Sequence, residues 1–284
     1  MNTKKITQQI LKKYNIKANK KYGQNFLLDD DILNGIVEVS NVKENDLVIE
    51  IGPGLGNLTT YFIDRCKYAL LIELDTNLLN ILKDRFSEKN NYEIINEDIL
   101  NLNLDLIIKE LELKLDFKFD NIKVIANLPY YITSPIIFKL LQESNLISDI
   151  TIMIQKEVAQ RLVASSKSKS YGILTIMTKY YANVTYEIDV NKTAFEPVPN
   201  VDSAVVNLKK YDKYFVKDEK LFFELIHKAF NQRRKKLINS LVSNKFNNMD
   251  KPQIEELLLK SSVSINSRAE ELDITDYINL TENL

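Results

Sequence analysis

The sequence predicts an α/β fold, with a largely parallel sheet covered by helices on both faces and a small all-helical C-terminal domain. Two observations lead to this prediction. Short apolar strand patterns alternate with helical patterns between residues 47 and 155, as is typical of parallel sheets. Beyond Tyr211 the strand patterns stop, and only helical periodicities remain. We therefore expect two domains, residues 1–210 and residues 211–284.

The elements of the first domain follow in order along the chain. Residues 1–24 form a basic leader, and a helix begins near Asp29, where a run of aspartates can cap its first turn. Strands are predicted at 47–51, 69–74, 92–96, 121–126 and 149–155, with helices at about 57–66, 76–87, 103–113 and 133–143. Two further strands, 181–190 and 203–210, would close the sheet as a hairpin-like pair.

The second domain is predicted to consist of helices alone. Their patterns cover about 218–231, 233–243, 252–260 and 268–280, and Pro252 suits a first helical turn. The Ser/Lys-rich stretch at 165–170 precedes this domain, and we expect a mobile loop there.

The composition is that of a soluble globular protein, with 45% hydrophobic and 27% charged residues in 284. The sequence contains no apolar run long enough for a membrane span and no secretory signal at its N-terminus, so we expect a cytoplasmic protein. One cysteine, Cys66, excludes an internal disulfide and a Cys-rich zinc site. The single His227 leaves no histidine cluster for a metal and makes Ser-His-Asp hydrolysis improbable, and we expect no metal.

The charges are unevenly distributed although the net charge is only −1 and the pI about 6.1. Seven lysines, among them Lys20 and Lys21, precede the first acidic residue, Asp29, and Arg233, Arg234, Lys235 and Lys236 form a second basic block. Clusters of this kind are typical of contacts with nucleic-acid phosphates. The alternative is a solvated tail and a solvated helix face.

A glycine-rich turn follows the first predicted strand. Gly52, Gly54 and Gly56 allow the backbone to approach a ligand closely, but their Gly-X-Gly-X-Gly spacing differs from that of pyrophosphate binders. The next strand ends at Glu73 and Leu74, where a carboxylate can accept from both ribose hydroxyls. The third is followed by Asp98 and Ile99, suited to an adenine amino group and ring. These three strand ends favour an adenosine cofactor without phosphates, S-adenosylmethionine, over a nicotinamide dinucleotide.

The motif Asn127-Leu128-Pro129-Tyr130 lies at the C-terminal end of the fourth predicted strand. The Asn127 side-chain carbonyl and the Leu128 main-chain carbonyl can both accept hydrogens from an exocyclic amine, which would localise its lone pair on nitrogen. Pro129 stiffens the turn, and Tyr130 offers a ring for stacking. Phe195, held between Thr193 and two prolines, would complete a sandwich around a flipped base. The alternatives are an ordinary proline turn and an aromatic plug at the sheet end.

These residues bring the sequence close to a known family. The matching motifs are Gly23-Gln24-Asn25-Phe26-Leu27, Glu50 to Gly56, Ile72-Glu73-Leu74-Asp75, Asp98, Asn127 to Tyr130, Gln155-Lys156-Glu157-Val158, Phe195 to Val205, and Ala229 to Lys235. In this order, over residues 20–240, the sequence resembles the KsgA/RsmA family, the ribosomal RNA small-subunit adenine dimethyltransferases. The resemblance implies a Rossmann-like S-adenosylmethionine-dependent methyltransferase sheet with a helical RNA-binding domain at 211–284.

The resemblance also implies an activity: dimethylation at N6 of two adjacent adenosines in the 3′-terminal hairpin of 16S rRNA, within the small ribosomal subunit or its precursor. Asn25, Leu27, Gly52, Glu73, Asp98 and Asn127 would line the donor site, while Asn127, Leu128, Tyr130 and Phe195 would hold the target base. We expect a monomer.

Three other functions remain open from the sequence. They are a 23S rRNA adenine N6-methyltransferase of the antibiotic-resistance type, a mainly non-catalytic assembly factor that inspects small subunits, and a dinucleotide oxidoreductase. The Leu128 position, the Gly-Pro-Gly turn and the basic block at 230–235 favour the 16S enzyme.

Overall fold

The computed structural model describes residues 2–19, 22–233 and 235–284. The chain divides into two compact units. The first comprises Met1–Ala159 and Val184–Lys210, and the second comprises Gln160–Asn183 and Tyr211–Leu284.

The first unit is built around a seven-stranded mixed sheet. Its strands are β2 (Leu47–Ile51), β3 (Tyr68–Ile72), β4 (Tyr92–Ile95), β5 (Ile122–Asn127), β6 (Ile147–Gln155), β7 (Ala182–Val190) and β9 (Ser203–Lys210), in the order β4-β3-β2-β5-β6-β9-β7. Neighbours from β4 to β6 pair in parallel, and β9 is antiparallel to β6. Every residue of β2 and β3 is buried, as expected of strands covered on both faces.

A second sheet has only two short strands, β1 (Phe26–Leu27) and β8 (Phe195–Glu196), paired antiparallel. Leu27 lies opposite Phe195, and the Leu28 amide donates to the Ala194 carbonyl at 2.8 Å. This pair connects the segment that precedes the helix predicted near Asp29 with the segment that precedes β9.

The helices, in chain order, are α1 (Thr3–Lys13), α2 (Asp30–Ser40), α3 (Thr59–Phe62), α4 (Thr76–Arg85), α5 (Leu104–Leu115), α6 (Thr133–Gln142), α7 (Lys156–Leu162), α8 (Ile173–Tyr181), α9 (Glu219–Phe230), α10 (Leu237–Ser243), α11 (Lys251–Lys260) and α12 (Ile274–Glu282). Short 3₁₀ turns occupy Ile99–Asn101, Lys192–Ala194, Phe246–Asn248 and Ala269–Glu271. Asp29 caps α2 as predicted, by accepting from the amides of Asp31 and Ile32.

The basic leader contains a helix, α1, that the sequence did not predict. The buried face of α1 is formed by Thr3 and Thr7. The Thr7 hydroxyl accepts from Asn57 Nδ2 at 2.9 Å, and the Thr3 hydroxyl lies 3.1 Å from the hydroxyl of Tyr61. Ile10 and Leu11 of the same helix pack, partly buried, against a cluster that includes Phe26 and Leu55, so the sequence carries an amphipathic pattern among the lysines of the leader.

The second unit has its own hydrophobic core. Tyr171, Ile176 and Tyr180 lie in one buried cluster with Phe222 and Tyr277. For this reason Gln160–Asn183 belongs with the helical unit, and the division differs here from the predicted boundary at residue 210. The predicted helix at 233–243 begins only at Leu237, since Lys236 forms an isolated bridge with Arg268 instead.

Candidate active site

A cavity in the first unit lies at the carboxyl ends of β2, β3 and β5. Its lining combines four stretches that are far apart in the chain: residues 22–27, the glycine turn at 52–55, Glu73, and residues 127–130. The carboxyl end of a parallel sheet is where α/β proteins hold their ligands. Part of the predicted cofactor set therefore shares one site with the predicted base-binding motif: Asn25, Leu27, Gly52, Gly54, Glu73 and Asn127.

The glycine turn has two kinds of glycine. Gly52 and Gly54 have φ angles of +67° and +60°, and a Cβ on Gly52 would meet no atom within 4 Å. Gly52 thus leaves open space against the cavity, as a close-fitting ligand needs. Gly56 has a φ of +76°, but a Cβ there would lie 2.7 Å from the Phe86 ring. Gly56 does not line the cavity; it allows close packing against α4.

Glu73 is the buried carboxylate of the cavity. It is 6% exposed, and its two oxygens accept from the amides of Gly54 at 3.0 Å and Asp75 at 2.8 Å. Burial raises the pKa of Glu73, while the two amide hydrogen bonds act in the opposite direction. The carboxylate is therefore held in a fixed orientation before any ligand arrives.

A second buried acid, Glu50, lies at the glycine turn. Burial raises its pKa to about 8, and the Thr59 hydroxyl donates to it. Arg85 is half-buried and donates to the Leu55 carbonyl and to Asn57 Oδ1. One of its terminal nitrogens is buried without a hydrogen-bond partner among the described residues. Burial lowers the Arg85 pKa to about 10. These groups form a polar support beneath the turn.

The electrostatics of the cavity favour one type of ligand. Its described lining contains two acidic side chains, Glu50 and Glu73, and no lysine or arginine. A pyrophosphate would find no cation here, whereas ribose hydroxyls and a cationic sulfonium suit acceptor groups. The open space at Gly52 and the oriented Glu73 carboxylate therefore fit S-adenosylmethionine better than a dinucleotide.

Asn127 is oriented by a neighbouring backbone group. Its Nδ2 donates to the Asn25 carbonyl at 3.1 Å, and only the NH₂ end of the amide can make this bond. The side-chain oxygen is left without a donor from any described residue. The Leu128 amide donates to the Met153 carbonyl at 3.1 Å, and the Leu128 carbonyl likewise receives no hydrogen bond within the described chain. Two acceptors are thus unpaired at the cavity.

The turn that follows is held rigidly. The Pro129 carbonyl accepts from the Ile132 amide at 3.2 Å and from the Thr133 hydroxyl at 3.1 Å. The Tyr130 hydroxyl lies 2.7 Å from that of Ser203, the first residue of β9, and burial raises the Tyr130 pKa. Tyr130 also lines the cavity, so its ring is a fixed wall.

Comparison with known proteins gives the site its context. The family model for ribosomal RNA adenine dimethylase matches residues 4–284.

The chain belongs to the ribosomal RNA adenine dimethylase family.

Curated relatives of this adenine dimethylase are similar over nearly their whole length. A ribosomal RNA small subunit methyltransferase A from Alkaliphilus oremlandii is 43% identical over 282 residues, which is 99% of this chain and 96% of the relative. The protein of the same name from Fusobacterium nucleatum is 42% identical over 268 residues, covering 93% and 96%. The chain is therefore an rRNA methyltransferase by family.

Solved structures agree with the fold. A dimethyladenosine transferase from Plasmodium falciparum has a TM-score of 0.74 and 28% identity, covering 90% of this chain and 95% of that one. The 23S rRNA methyltransferase ErmE has a TM-score of 0.67 at 24% identity, covering 92% and 99%. The predicted class, a Rossmann-like methyltransferase sheet with a helical C-terminal part, is confirmed.

Phe195 does not line the adenine dimethylase cavity. The side chain is 2% exposed and packs in a core cluster with Leu27, Met153 and Val205, because its pairing opposite Leu27 directs it inward. In this arrangement the ring presents no free face to a base. A stacking role requires the ring or its cover to move, and it stays a prediction.

Three other predicted cofactor residues lie outside the cavity lining. Leu74 is 41% exposed, and Ile99 is 5% exposed in a 3₁₀ turn. Asp98 caps that turn by accepting from the Leu100 amide at 2.9 Å. Their contact with the adenine ring also stays a prediction.

The predicted RNA-binding residues are described only in part. Lys20, Lys21 and Arg234 lie outside the described residues. Arg233 forms an ion pair with Glu270 and donates to the Ser168 carbonyl at 3.1 Å, within the helical unit. Lys235 is exposed, and Lys236 Nζ donates to Asn266 Oδ1 at 2.6 Å. Of the described residues in the second basic block, Arg233 is therefore paired with an acid, whereas Lys235 and Lys236 are exposed.

Sequence reasoning did not give a role to Gln24, which connects the leader to the cavity. Gln24 Nε2 donates to the Asp75 carboxylate at 2.8 Å, and its Oε1 accepts from the Asn19 amide at 2.8 Å. Asp75 in turn caps α4. The signal was available, since Gln24 stands between Gly23 and Asn25 in the first family motif.

Among the described residues, no group of three or more His, Cys, Asp or Glu side chains is arranged to hold a metal ion. No described helix has the length and apolar character needed to cross a membrane.

Proposed function

We propose that this protein transfers methyl groups from S-adenosylmethionine to N6 of two adjacent adenosines in the 3′-terminal hairpin of 16S rRNA. The product is N6,N6-dimethyladenosine, formed during assembly of the small ribosomal subunit. We further propose that the protein acts in the cytoplasm as a monomer. The observation that carries the proposal is the pair of unpaired acceptors, Asn127 Oδ1 and the Leu128 carbonyl, beside an acidic adenosine-type cavity.

The donor side of the site holds the cofactor by shape and by hydrogen bonding. Gly52 and Gly54 let the backbone approach it, and the Glu73 carboxylate accepts from its ribose hydroxyls. When bound, S-adenosylmethionine supplies an electrophilic methyl group. The Glu73 carboxylate stabilises a cationic ligand more than its neutral product.

The base side of the site activates the amine. An adenine amine is a poor nucleophile because its lone pair is delocalised into the ring. If its two hydrogens are donated to Asn127 Oδ1 and the Leu128 carbonyl, the lone pair is localised and directed at the methyl group. The alkylated amine is acidic enough to lose its proton to water, so no strong general base is needed.

Orientation accounts for the rest of the rate enhancement. The Asn25 carbonyl fixes Asn127, the Met153 carbonyl fixes Leu128, and Ser203 fixes Tyr130. Because each group is held before the substrate binds, little reorganisation is required in the transition state. Tyr130 provides the ring against which the adenine stacks.

One experiment tests the proposal directly. The purified protein is incubated with radiolabelled S-adenosylmethionine and under-methylated small subunits, and the modified nucleotides are then mapped. We expect label at N6 of two neighbouring adenosines near the 3′ end of 16S rRNA. Isolated 23S rRNA is incubated in parallel. Label in 23S rRNA with none in the small subunits, or binding of small subunits without any incorporation, would contradict the proposal and favour one of the other functions.

A further inference from the structure

A second depression in the first unit, here called the side groove, adjoins the cavity. The groove has a volume of about 1030 Å³ and shares Tyr130 and residues 23–26 with the cavity lining. Its outer wall is the loop at 196–201, and its opposite wall includes Leu11, Ile16 and Lys17. A base that reaches the acceptors at Asn127 and Leu128 therefore has its neighbours in the strand beside this groove.

The outer wall carries two exposed valines. Val198 is 57% exposed and Val201 is 43% exposed, and we call the pair the aliphatic ledge. Pro197 and Pro199 restrict the backbone around Val198, and the Asp202 carbonyl and carboxylate accept from the Lys156 and Lys192 amides, each at 3.0 Å. The ledge is therefore a rigid apolar surface in water, which favours contact with a flat apolar face.

The groove continues past the ledge into a cleft that carries lysines. The two depressions share Gln155, Asn200 and Val201, and the cleft adds Lys156 and Lys192. Lys156 pairs with Asp189 at 2.6 Å, whereas Lys192 is exposed and has no acidic partner in the described part of the chain. Lys17, at the other end of the groove, is likewise exposed and unpaired among the described residues. Three acids, Glu157, Glu196 and Asp202, also line these depressions, so their charge is mixed.

We propose that the side groove holds the RNA strand next to the target adenosine, with a flanking base on the ledge of Val198 and Val201 and a backbone phosphate at Lys192. An apolar ledge next to an unpaired cation suits a nucleotide, because bases stack on apolar surfaces while phosphates require cations. Because the groove adjoins the cavity, this nucleotide is a neighbour of the target adenosine in the strand. The inference rests on the proposed function and specifies how its substrate is held.

The ledge is tested by the double substitution Val198→Ser with Val201→Ser. Both side chains are exposed, so the fold should tolerate the change. We expect kcat/KM for under-methylated small subunits to fall about tenfold through loss of apolar contact, with Kd for S-adenosylmethionine unchanged. The matched control is Leu106→Ser with Leu113→Ser. Both leucines lie on α5 and are exposed, by 53% and 82%. A ledge variant as active as this control would overturn the proposal.

The phosphate contact is tested by Lys192→Gln, with Lys109→Gln on α5 as the control. We expect only Lys192→Gln to reduce the slope of log affinity for a short single-stranded RNA against log salt, by about one unit. An unchanged slope would overturn this part, and the measurement remains informative if the ledge variant is unstable. If the ledge variant loses affinity for small subunits but keeps full affinity for the isolated RNA, the ledge contacts a protein and the proposal is wrong.

These outcomes are separable from failure of the proposed function. If the wild-type protein methylates no adenosine, the proposed function fails. If it methylates small subunits and the ledge variant does so equally well, only the side-groove proposal fails.

Discussion

The two sides of the cavity differ in how their polar groups are used. On the donor side, Glu73 already accepts two backbone hydrogen bonds, and Glu50 accepts from Thr59. On the base side, Asn127 Oδ1 and the Leu128 carbonyl accept none from the described residues. The acceptors on the donor side are thus already hydrogen-bonded within the protein, whereas the two acceptors on the base side are available to a substrate. Mutations on the donor side should therefore affect stability and binding together, and mutations on the base side should affect chemistry alone.

The largest expected effect comes from Asn127→Ala, which removes Asn127 Oδ1, one of the two unpaired acceptors. We expect kcat to fall by about 10²- to 10³-fold, the range found when one preorganised group that stabilises a transition state is deleted. Kd for S-adenosylmethionine should change little, since the donor-side hydrogen bonds remain. Single-turnover methylation and calorimetry measure the two quantities.

The control for this variant is Asn101→Ala, an exposed asparagine in a 3₁₀ turn. Equal losses of kcat and donor affinity in Asn127→Ala would show that the two sides of the cavity are not separable.

Glu73→Gln tests the donor side. The substitution keeps the shape but removes the charge that accepts from Gly54, Asp75 and, in our proposal, the ribose. We expect about 10- to 100-fold weaker S-adenosylmethionine binding, from the worth of hydrogen bonds to a charged acceptor. Thermal stability should fall as well, because glutamine keeps only one accepting oxygen and one of the two backbone amides then faces an NH₂ group. Glu110→Gln, at an exposed carboxylate on α5, is the control, and an unchanged donor Kd in Glu73→Gln would contradict the assignment.

Glu50→Gln tests the support beneath the glycine turn through pH. Burial raises the Glu50 pKa to about 8, well above the value of an unfolded chain, so the folded state binds the proton more tightly. The wild type should therefore lose stability relative to Glu50→Gln as pH rises from about 4.5 to 8, by up to about 1.4 kcal/mol per pH unit. Urea denaturation of both proteins at pH 6, 7 and 8 measures the difference. Parallel stability curves would show that Glu50 is already ionised in the folded state.

Phe195→Leu should have the smallest effect on methylation. The variant tests whether the Phe195 ring belongs to the base side of the cavity. Since the ring is 2% exposed, the exchange for a smaller apolar side chain should leave a small cavity and cost about 1–3 kcal/mol in urea denaturation. No loss of stability would show that the ring is not part of the core. A fall in methylation larger than the fall in folded fraction would show that the ring reaches the base during turnover.

The sheet was predictable from the sequence because its central strands are buried on both faces and appear as continuous apolar runs. The predicted strand 47–51 coincides with β2, and the order of strands and helices up to β6 is confirmed. Helix α1 was missed because the leader was interpreted from its lysines, although Ile10 and Leu11 form an apolar face that packs against a buried cluster. The β1–β8 pair was missed because two residues per strand are too few for a periodic pattern.

The candidate site was predictable where residues follow strand ends, since the carboxyl edge of a parallel sheet brings Gly52, Glu73 and Asn127 together. The sequence was less informative about side-chain direction. Gly56 belongs to the same motif as Gly52, yet it faces Phe86 in the protein interior. Phe195 stands in a motif of the base side, but its register opposite Leu27 buries it. Neither orientation follows from spacing alone.

The central claim is that two acceptors hold the amine of the target adenine. The most direct test is a crystal structure of the protein with S-adenosylhomocysteine and adenosine. The account predicts that N6 lies within hydrogen-bond distance, about 2.7–3.2 Å, of both Asn127 Oδ1 and the Leu128 carbonyl oxygen. An adenine bound in the site with its amine out of reach of both oxygens would contradict it.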